Sequence, residues 1–319
     1  MKDKYQRKID YMRISVTDRC NLRCVYCMPP EGVAPKGHEE ILTFEEILRV
    51  VQAATQVGIR KIRLTGGEPL VRKGIPSLVE SLADVPGIED LALTTNGILL
   101  ADMAKDLHRK GLRRVNISLD TLDPKRYRAL TRGGDIRRVW QGIEAALKIG
   151  FDPVKINVVV MADGNLDELS AFADLTRNLP LHVRFIEVMR LDRNAQGHGY
   201  VSVREMQAAV QDKLVPCPGP QGAGPARYYR LEGALGTVGF ISPISRHFCG
   251  TCNRLRLTAD GVVRPCLCST RGVPLRDILR SGLDDEGLVD LLAQAIASKP
   301  REHNLREGAC NVPMSQIGG

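Results

Sequence analysis

The chain has 319 residues, enough for a sizeable core in one or two domains, and its composition is ordinary for a globular protein. No apolar run approaches the roughly 18 residues of a membrane helix, and the polar start is unlike a signal peptide, so we expect a cytoplasmic protein without a membrane partner. The net charge of +8 and the pI of about 9.1 favour an anionic partner. Because the basic residues are dispersed and aromatic residues are few, we expect a phosphorylated small molecule rather than nucleic acid.

The first predicted strand, Tyr11–Val16, leads directly into a loop that carries three cysteines. Cys20, Cys24 and Cys27 have the spacing C-x₃-C-x₂-C, and three thiolates so close together converge usefully only on a metal. A structural zinc site needs four ligands, so either a distant residue completes this site or one coordination position stays open. An iron–sulfur cluster with one open iron is the favoured interpretation.

The next segments alternate between helical and strand patterns. A helix is predicted to begin at Thr43, with a capping box to Glu46, and to end at Gly58. The pattern predicts further strands at Ile59–Thr65, Asp90–Thr95, Leu112–Leu119, Val154–Met161 and His182–Val188, and further helices near residues 75–85, 98–110, 135–149 and 165–178, with Gly111 and Gly150 as C-caps. This alternation predicts an α/β fold with a parallel sheet, most economically an incomplete six-unit (β/α) barrel over residues 1–215. A doubly wound open sheet is the alternative, because strand order cannot be read from the sequence.

Polar residues follow the second, third and fourth strands, at the edge where barrels have their active sites. After the second strand, Gly66 and Gly67 allow close backbone approach to a ligand, and Glu68 can accept hydrogen bonds from an ammonium group. An ordinary strand-to-helix turn would look the same. Residues of Thr94–Gly97 and Asn116–Asp120 either bind ribose and amide groups or cap the helices that follow.

Three polar residues lie within the fifth and sixth strands. Lys155 and Asn157 share one face of the fifth strand, and Arg184 lies on the sixth. At a solvated edge such charges need no partner, but inside a barrel they require one, and an anionic substrate would supply it.

The composition changes after Met189, and a smaller unit is predicted over residues 226–319. A helix is expected around Val203–Lys213, and the Pro- and Gly-rich run Pro216–Pro225 is interpreted as a loop or linker. The second unit is predicted to contain strands at Tyr228–Leu231 and Thr237–Ile241, a hairpin over Leu255–Val263, and helices near residues 274–281 and 285–298.

A second cysteine group lies in this unit. Cys249 and Cys252 form a CxxC pair, and Cys266 follows after thirteen residues. A zinc ribbon, with Cys268 as fourth ligand, is a serious alternative for this spacing. Against zinc, Arg254 and Arg256 follow the pair at once on one side of a predicted strand, and guanidinium groups suit phosphate oxygens.

Taken together, the motifs are similar to those of the radical S-adenosylmethionine (SAM) superfamily. The C-x₃-C-x₂-C loop, with Tyr26 before its third cysteine, and the Gly66–Pro69 sequence GGEP match the superfamily pattern. The C-terminal CxxC followed by NRLRLT and a third cysteine resembles one family within it, the GTP 3′,8-cyclases of molybdenum cofactor biosynthesis. The terminal Gly318 and Gly319 are similar to that family's tail, which reaches into the active site, whereas Cys268 departs from the pattern.

The resemblance implies a fold, a reaction and a set of sites. The implied fold is an incomplete (β/α)₆ TIM-like radical SAM barrel with a smaller C-terminal α+β domain that carries a second iron–sulfur cluster. The implied reaction is that of a lyase: a 5′-deoxyadenosyl radical takes the ribose 3′ hydrogen of GTP, and the resulting carbon radical attacks C8 of guanine. The implied sites are Cys20, Cys24 and Cys27 for one [4Fe–4S] cluster; Cys249, Cys252 and Cys266 for the other; Tyr26, Gly66, Gly67, Glu68, Ser118 and Met189 for SAM; Arg13, Arg63, Thr94, Lys155, Arg254, Leu255 and Arg256 for GTP; and Arg13, Arg184, Arg256, Gly318 and Gly319 for catalysis.

The resemblance also implies partners. These are an electron donor such as flavodoxin or ferredoxin and a downstream cyclic pyranopterin monophosphate synthase, with the enzyme itself a monomer or homodimer. Two other interpretations compete with the cyclase: a different radical SAM enzyme with an auxiliary cluster, for instance one that modifies peptides, and a zinc-ribbon module that binds nucleic acid.

Overall fold

A computed structural model of the protein describes residues 1–189, 197–222, 224–269 and 271–303. Its centre is a parallel sheet of six strands, which run in chain order from one edge to the other. They are β1 (Tyr11–Ser15), β2 (Lys61–Thr65), β3 (Asp90–Thr95), β4 (Arg114–Ser118), β5 (Val154–Val160) and β6 (Leu181–Glu187). The parallel α/β arrangement and all six strands were predicted, with shifts of a few residues at their ends.

The C-terminal segment extends this sheet at both edges. It contributes β7 (Val215–Pro216), β8 (Arg227–Arg230), β9 (Thr237–Ile241), β10 (Arg254–Leu257), β11 (Val262–Arg264) and β12 (Val273–Pro274). β9 pairs in parallel with β6, and β10 pairs in parallel with β1. The sheet runs in the order β12-β11-β10-β1-β2-β3-β4-β5-β6-β9-β8-β7, so the barrel is incomplete, as predicted.

The helices cover the outer face of the sheet. They are α1 (Phe44–Gln56), α2 (Ile75–Ala83), α3 (Leu100–Arg109), α4 (Pro124–Leu130), α5 (Ile136–Ile149), α6 (Leu169–Asn178), α7 (Val203–Ala209), α8 (Arg276–Arg280) and α9 (Asp285–Ala297). The predicted capping box starts α1, since Thr43 Oγ1 accepts from the Glu46 amide and the Glu46 carboxylate accepts from the Thr43 amide. The predicted C-cap Gly150 ends α5 in the left-handed conformation, with φ of 95°.

The short helix α4 was not predicted. It begins after Asp123, whose side chain accepts from the amides of Lys125 and Arg126, and Pro124 occupies its first position. Seven residues carry too little periodicity to be distinguished from a turn. Its C-terminal end supports the cysteine loop, as described below.

The predicted division into residues 1–215 and 226–319 stays a prediction. In the structure the two segments share one sheet, and α1 of the first packs against α9 of the second. Within the described ranges, no helix is long and apolar enough to cross a membrane.

Candidate active site

Both cysteine groups line one cavity of about 660 Å³. We call Cys20, Cys24 and Cys27 the first triad and Cys249, Cys252 and Cys266 the second triad. The residues that follow β1, β2, β3 and β6 line the cavity at the carboxyl edge of the parallel sheet. The second triad lies toward the amino edge, because Cys252 precedes β10, which is parallel to β1, and Cys266 follows the antiparallel β11. Two groups that are more than two hundred residues apart in the chain thus meet at one site.

The loop of the first triad is held from outside by the end of α4 and the residues after it. The Val25 amide donates to the Leu130 carbonyl at 2.9 Å. Arg132 adopts a positive φ of 53°, and its Nη1 donates to the carbonyls of Arg23 and Met28 at 2.9 and 2.7 Å. The loop has no regular secondary structure, so these contacts fix its path.

The thiols of the first triad lie in surroundings that disfavour a bare thiolate. Burial raises the pKa of Cys20 to about 11 and holds the pKa of Cys24 well above its ordinary value. The neighbouring Tyr26 hydroxyl donates to Asp120 Oδ2 at 2.6 Å, and Asp120 Oδ1 accepts from the Val159 amide at 2.8 Å. Thiolates at this position therefore need a metal to neutralise them.

The two glycines after β2 allow the cysteine loop to pack against the barrel. A Cβ on Gly66 would lie 2.5 Å from the Thr17 carbonyl oxygen, and one on Gly67 would lie 2.3 Å from that of Arg19. The amide of Gly67 donates to the Thr17 carbonyl at 2.8 Å. The sequence predicted a close approach of the backbone to a ligand; in the structure the close approach that requires glycine is to the chain just before Cys20.

Glu68 is buried at the end of the same motif. Its Oε1 accepts from the Leu70 amide at 3.0 Å and the Thr95 hydroxyl at 2.7 Å, and its Oε2 accepts from the Asn96 amide at 2.6 Å. Burial outweighs these hydrogen bonds and raises the pKa of Glu68 to about 7. The described partners of Glu68 are all internal, so its contact with an ammonium group stays a prediction.

Three arginines stand side by side on neighbouring strands. Arg256 on β10 is in register with Arg13 on β1, which is in register with Arg63 on β2. Arg63 donates to the Tyr11 hydroxyl and, at 3.4 Å, to Thr94 Oγ1. Among the described residues, nothing accepts a hydrogen bond from the buried Nε of Arg13.

Adjacent charges make this arginine row costly in the absence of an anion. Burial, and after it the charge of Arg256, holds the pKa of Arg13 well below its ordinary value. Burial and the charge of Arg254 lower the pKa of Arg256 to about 10. The charged residues of the cavity lining are Lys8, Arg13, Arg63, Arg184, Arg254, Arg256 and Lys299 against Asp10, Glu68, Asp120 and Glu187. The excess of cations favours a multiply charged anion in the cavity.

A second polar row lies on β4, β5 and β6. Ser118, Asn157 and Arg184 are in register on these strands and line the cavity. Arg184 Nε donates to Asn157 Oδ1 at 2.8 Å. Sequence reasoning placed Arg184 near the substrate and noted Asn157 without a role; the register explains why both face the same space.

Lys155 is buried but is not among the cavity-lining residues. Its Nζ donates to the Gln221 carbonyl at 2.8 Å, and Arg114 donates to the same oxygen at 3.2 Å. Burial, followed by the charge of Arg184, lowers the pKa of Lys155 to about 6. Both cations lie at the amino ends of their strands, so the segment at Gln221, predicted as a plain loop or linker, contacts the barrel opposite the first triad.

The second triad lies in more cationic surroundings than the first. Although burial raises the pKa of Cys252, Arg254 and Lys299 lower it to about 7 overall. The pKa of Cys266 is lowered to about 5, first by a hydrogen bond with Cys268 and also by Lys299 and Arg256. Cys268, which the zinc-ribbon alternative uses as its fourth ligand, also lines this cavity.

Most of the predicted site residues converge on the cavity. Leu255 does not, because its side chain is fully buried in the core on the face opposite Arg254 and Arg256. Gly318 and Gly319 lie outside the described residues, so their part in the site stays a prediction. The predicted residues that line the cavity are Arg13, Cys20, Cys24, Tyr26, Cys27, Arg63, Gly66, Gly67, Glu68, Thr94, Ser118, Arg184, Met189, Cys249, Cys252, Arg254, Arg256 and Cys266.

Sequence reasoning missed several residues of the lining. Lys299 is 2% exposed and contacts the second triad's segments, yet it follows α9 in a Ser-Lys-Pro sequence that looks like an ordinary helix end. Glu187, at the end of β6, accepts from the Ile244 and Ser245 amides, both at 2.9 Å. No local pattern marks either role, since their partners are distant in sequence.

The residues fit the groups that the motifs imply. Each triad supplies three thiols to one cavity, and thiolates are the usual ligands of [4Fe–4S] clusters. No three His, Cys, Asp or Glu side chains in the described segments are close enough to hold a single metal ion, and a four-iron cluster separates its ligands more widely than one ion does. The buried Arg13 Nε, which has no hydrogen-bond acceptor among the described residues, fits an anionic substrate.

Comparisons with known proteins agree with this arrangement. A family model described as the radical SAM superfamily matches residues 14–176, and one described as Molybdenum Cofactor Synthesis C matches residues 181–305. A GTP 3′,8-cyclase of Pelotomaculum thermopropionicum is 54% identical over 325 residues, with 100% of each chain covered. A GTP 3′,8-cyclase of Moorella thermoacetica is 51% identical over 323 residues, also with 100% of each covered.

A solved structure shares the fold. Streptococcus suis SuiB bound to S-adenosylmethionine superposes with a TM-score of 0.62 over 96% of this chain and 78% of that one, at 14% sequence identity. At so low an identity, the likeness concerns the fold alone.

Proposed function

The chain belongs to the radical SAM superfamily and, within it, to the family of the GTP 3′,8-cyclases, and on that premise we propose that it converts GTP to (8S)-3′,8-cyclo-7,8-dihydroguanosine 5′-triphosphate. This is the first step of molybdenum cofactor biosynthesis. The observation that carries the proposal is one cavity lined by both cysteine triads and by the arginine row Arg256, Arg13 and Arg63 on three adjacent strands.

The first triad would hold one [4Fe–4S] cluster and, beside it, S-adenosylmethionine. When bound, this pair supplies hydrogen-atom abstraction from an unreactive C–H bond. Tyr26, Ser118 and Met189 lie around this part of the cavity and would bind the nucleoside and methionine parts. Gly66 and Gly67 keep the cysteine loop against the barrel, so that the cofactor's position relative to the strand ends is fixed.

The arginine row would bind the triphosphate of GTP. Arg256, Arg13 and Arg63 present their guanidinium groups from three adjacent strands, and guanidinium forks match phosphate oxygens. Thr94 and Arg184 lie on the same side of the sheet and would orient the nucleotide. Lys155 would contribute positive charge from the amino ends of the strands, although its described hydrogen bond goes to the Gln221 carbonyl.

The second triad would hold another [4Fe–4S] cluster on the far side of the substrate. Cys249, Cys252 and Cys266 line the same cavity as the arginine row, so the base of GTP would bind at this cluster while the guanidinium groups hold the phosphates. The ribose would then lie between the triads, where C3′ would lose its hydrogen and bond to C8 of the guanine. This bond leaves an unpaired electron on the base, and one electron from the electron donor and one proton would complete the 7,8-dihydro product.

The enzyme's partners follow from the same proposal. It requires an electron donor, for which a flavodoxin or a ferredoxin is suitable, and its product is the substrate of a cyclic pyranopterin monophosphate synthase. The proposed location is the cytoplasm, and the proposed state is a monomer or homodimer.

Hydrogen transfer from the substrate tests the function directly. The anaerobically prepared protein is reduced and incubated with SAM and GTP that carries deuterium at the ribose 3′ position. We expect deuterium in the 5′-deoxyadenosine and a cyclised triphosphate as product. Unlabelled 5′-deoxyadenosine, formed equally with and without GTP, would contradict the proposal and would point to another radical SAM reaction.

A further inference from the structure

Two buried cations from outside the second triad contact the segments that carry it. The triad has little regular structure of its own: Cys249 opens a single turn that Cys252 follows, and Cys266 follows the short strand β11. The two cations are Arg7, near the start of the chain, and Lys299, just after α9. Neither has a role in the function proposed above.

Lys299 joins the segments of Cys252 and Cys266. Its Nζ donates to the Arg254 carbonyl at 2.7 Å and to the Pro265 carbonyl at 2.6 Å, and the second of these belongs to the peptide bond that leads into Cys266. The side chain is 2% exposed and lines the cavity. A buried ammonium whose described acceptors are only carbonyls is costly, and nearby thiolates offset that cost.

The balance of charges around Lys299 agrees with this geometry. Burial lowers the pKa of Lys299, whereas the neighbouring Cys252 and Cys266 raise it. Its described hydrogen bonds leave one ammonium proton that can face the triad.

Arg7 fixes the remaining segment. Its Nη1 donates to the Cys249 carbonyl at 2.7 Å, and its Nη2 donates to the Pro300 carbonyl, next to Lys299, at 2.6 Å. Its Nε donates to Asp3 Oδ2 at 2.6 Å, so the guanidinium is oriented by an acid of its own segment. Arg7 and Lys299 thus connect all three cysteine segments through backbone carbonyls.

We propose that Arg7 and Lys299 are positioning residues that preassemble the second triad for its iron–sulfur cluster, and that the charge of Lys299 also raises the reduction potential of that cluster. The proposal rests on the proposed function, which gives the triad its cluster. A cluster ligated by thiolates gains negative charge on reduction, and a fixed cation in a buried site stabilises the reduced form.

Three substitutions separate the contacts from the charge. Lys299→Met removes both the hydrogen bonds and the charge, and Lys299→Gln keeps amide donors for the carbonyls but removes the charge. Arg72→Met is the matched control, because Arg72 donates to the Val16 and Leu42 carbonyls at 2.5 and 2.7 Å, away from the second triad. Each variant is prepared anaerobically as the full chain. Iron and sulfide per chain are measured, and the potential of the second cluster is measured by a redox titration followed by electron paramagnetic resonance.

We expect the iron content of Lys299→Met to be about four per chain instead of about eight, since one of two four-iron clusters is lost. Lys299→Gln should keep about eight irons but shift the second cluster to a more negative potential by a tenfold change in the one-electron equilibrium, about 59 mV. Arg72→Met should leave that potential unchanged.

The proposal is overturned if Lys299→Gln has the wild-type potential, and this measurement decides even if Lys299→Met does not fold. An equal shift in Arg72→Met would also overturn it, because the effect would not be local. Failure of the proposed function gives a different result: the wild-type protein itself would hold fewer than two clusters or would release 5′-deoxyadenosine without GTP.

Discussion

Single residues on neighbouring strands explain why this protein needs an anionic ligand. Strand register places Arg256, Arg13 and Arg63 side by side. Register depends on contacts between residues that are distant in the chain, so it cannot be derived from local sequence patterns. Sequence reasoning could select these residues only through the resemblance of their motifs. The structure adds the physical reason, which is that their charges are buried together and are mutually repulsive.

Lys155 provides a residue-scale test. Its burial should lower the free energy of unfolding of the substrate-free protein, and only a bound anionic substrate would offset that loss. The pKa of Lys155 is lowered to about 6 in the fold, whereas an unfolded lysine keeps a pKa near 10.5. Between these values the unfolded chain binds more protons, so this lysine's cost to stability is complete below pH 6 and vanishes as the pH rises through 10.5. At pH 7.5 the cost is on the order of 4 kcal/mol, from about three pH units of separation.

We therefore predict that Lys155→Met raises the melting temperature of the substrate-free protein at pH 7.5 and weakens GTP binding. Loss of the lysine's hydrogen bond costs about 1 kcal/mol, and Arg114 still donates to the Gln221 carbonyl, so the net gain is about 2 kcal/mol or more. The gain should shrink as the pH approaches 10.5. The exposed Lys148→Met is the control and should change stability by less than about 0.5 kcal/mol. Destabilisation of Lys155→Met at pH 7.5 would contradict this account of the lysine.

At the scale of elements, the barrel strands and most helices were predictable, because period-2 and period-3.6 patterns are local. The pairing of β9 with β6 and of β10 with β1 was not, since local patterns do not specify which strand a segment joins. The short helix α4 was not predicted, because seven residues show too little hydrophobic periodicity. The Leu130 carbonyl at its end nevertheless accepts a hydrogen bond from the cysteine loop. The contacts of Arg7 and Lys299 could not be predicted either. Their partners are backbone carbonyls, which every residue has, so no residue type in the sequence indicates them.

The contact between the cysteine loop and the end of β2 gives an element-scale prediction. In Gly67→Ala the new Cβ would lie 2.3 Å from the Arg19 carbonyl oxygen and 2.8 Å from that of Asp18. The loop must shift, so we expect a loss of roughly 1–3 kcal/mol in stability and a deficit of iron at the first triad, with the second triad filled. Differential scanning calorimetry and iron analysis measure both effects.

Gly197→Ala is the control for this variant, since a Cβ there meets none of the described residues within 4 Å. It should retain the wild-type melting temperature and iron content. If Gly67→Ala also retained both, the glycines of the GGEP motif would not be required for docking the loop, and close approach to a ligand would be the better explanation.

At the scale of the whole molecule, one sheet carries both cysteine triads to a single cavity. The C-terminal segment supplies β10 beside β1, which puts Arg256 next to Arg13, and it supplies β9 beside β6 at the opposite edge. The segment is therefore part of the wall of the active site. This arrangement explains how two clusters can act on one substrate: the strand order itself fixes the distance between them.

The central claim is that both triads hold [4Fe–4S] clusters around one GTP site, and iron content and SAM cleavage in one anaerobic preparation test it most directly. We predict about eight irons per chain and 5′-deoxyadenosine whose formation depends on GTP. A protein with zinc in place of iron, or with full iron and GTP-independent release of 5′-deoxyadenosine, would contradict the claim.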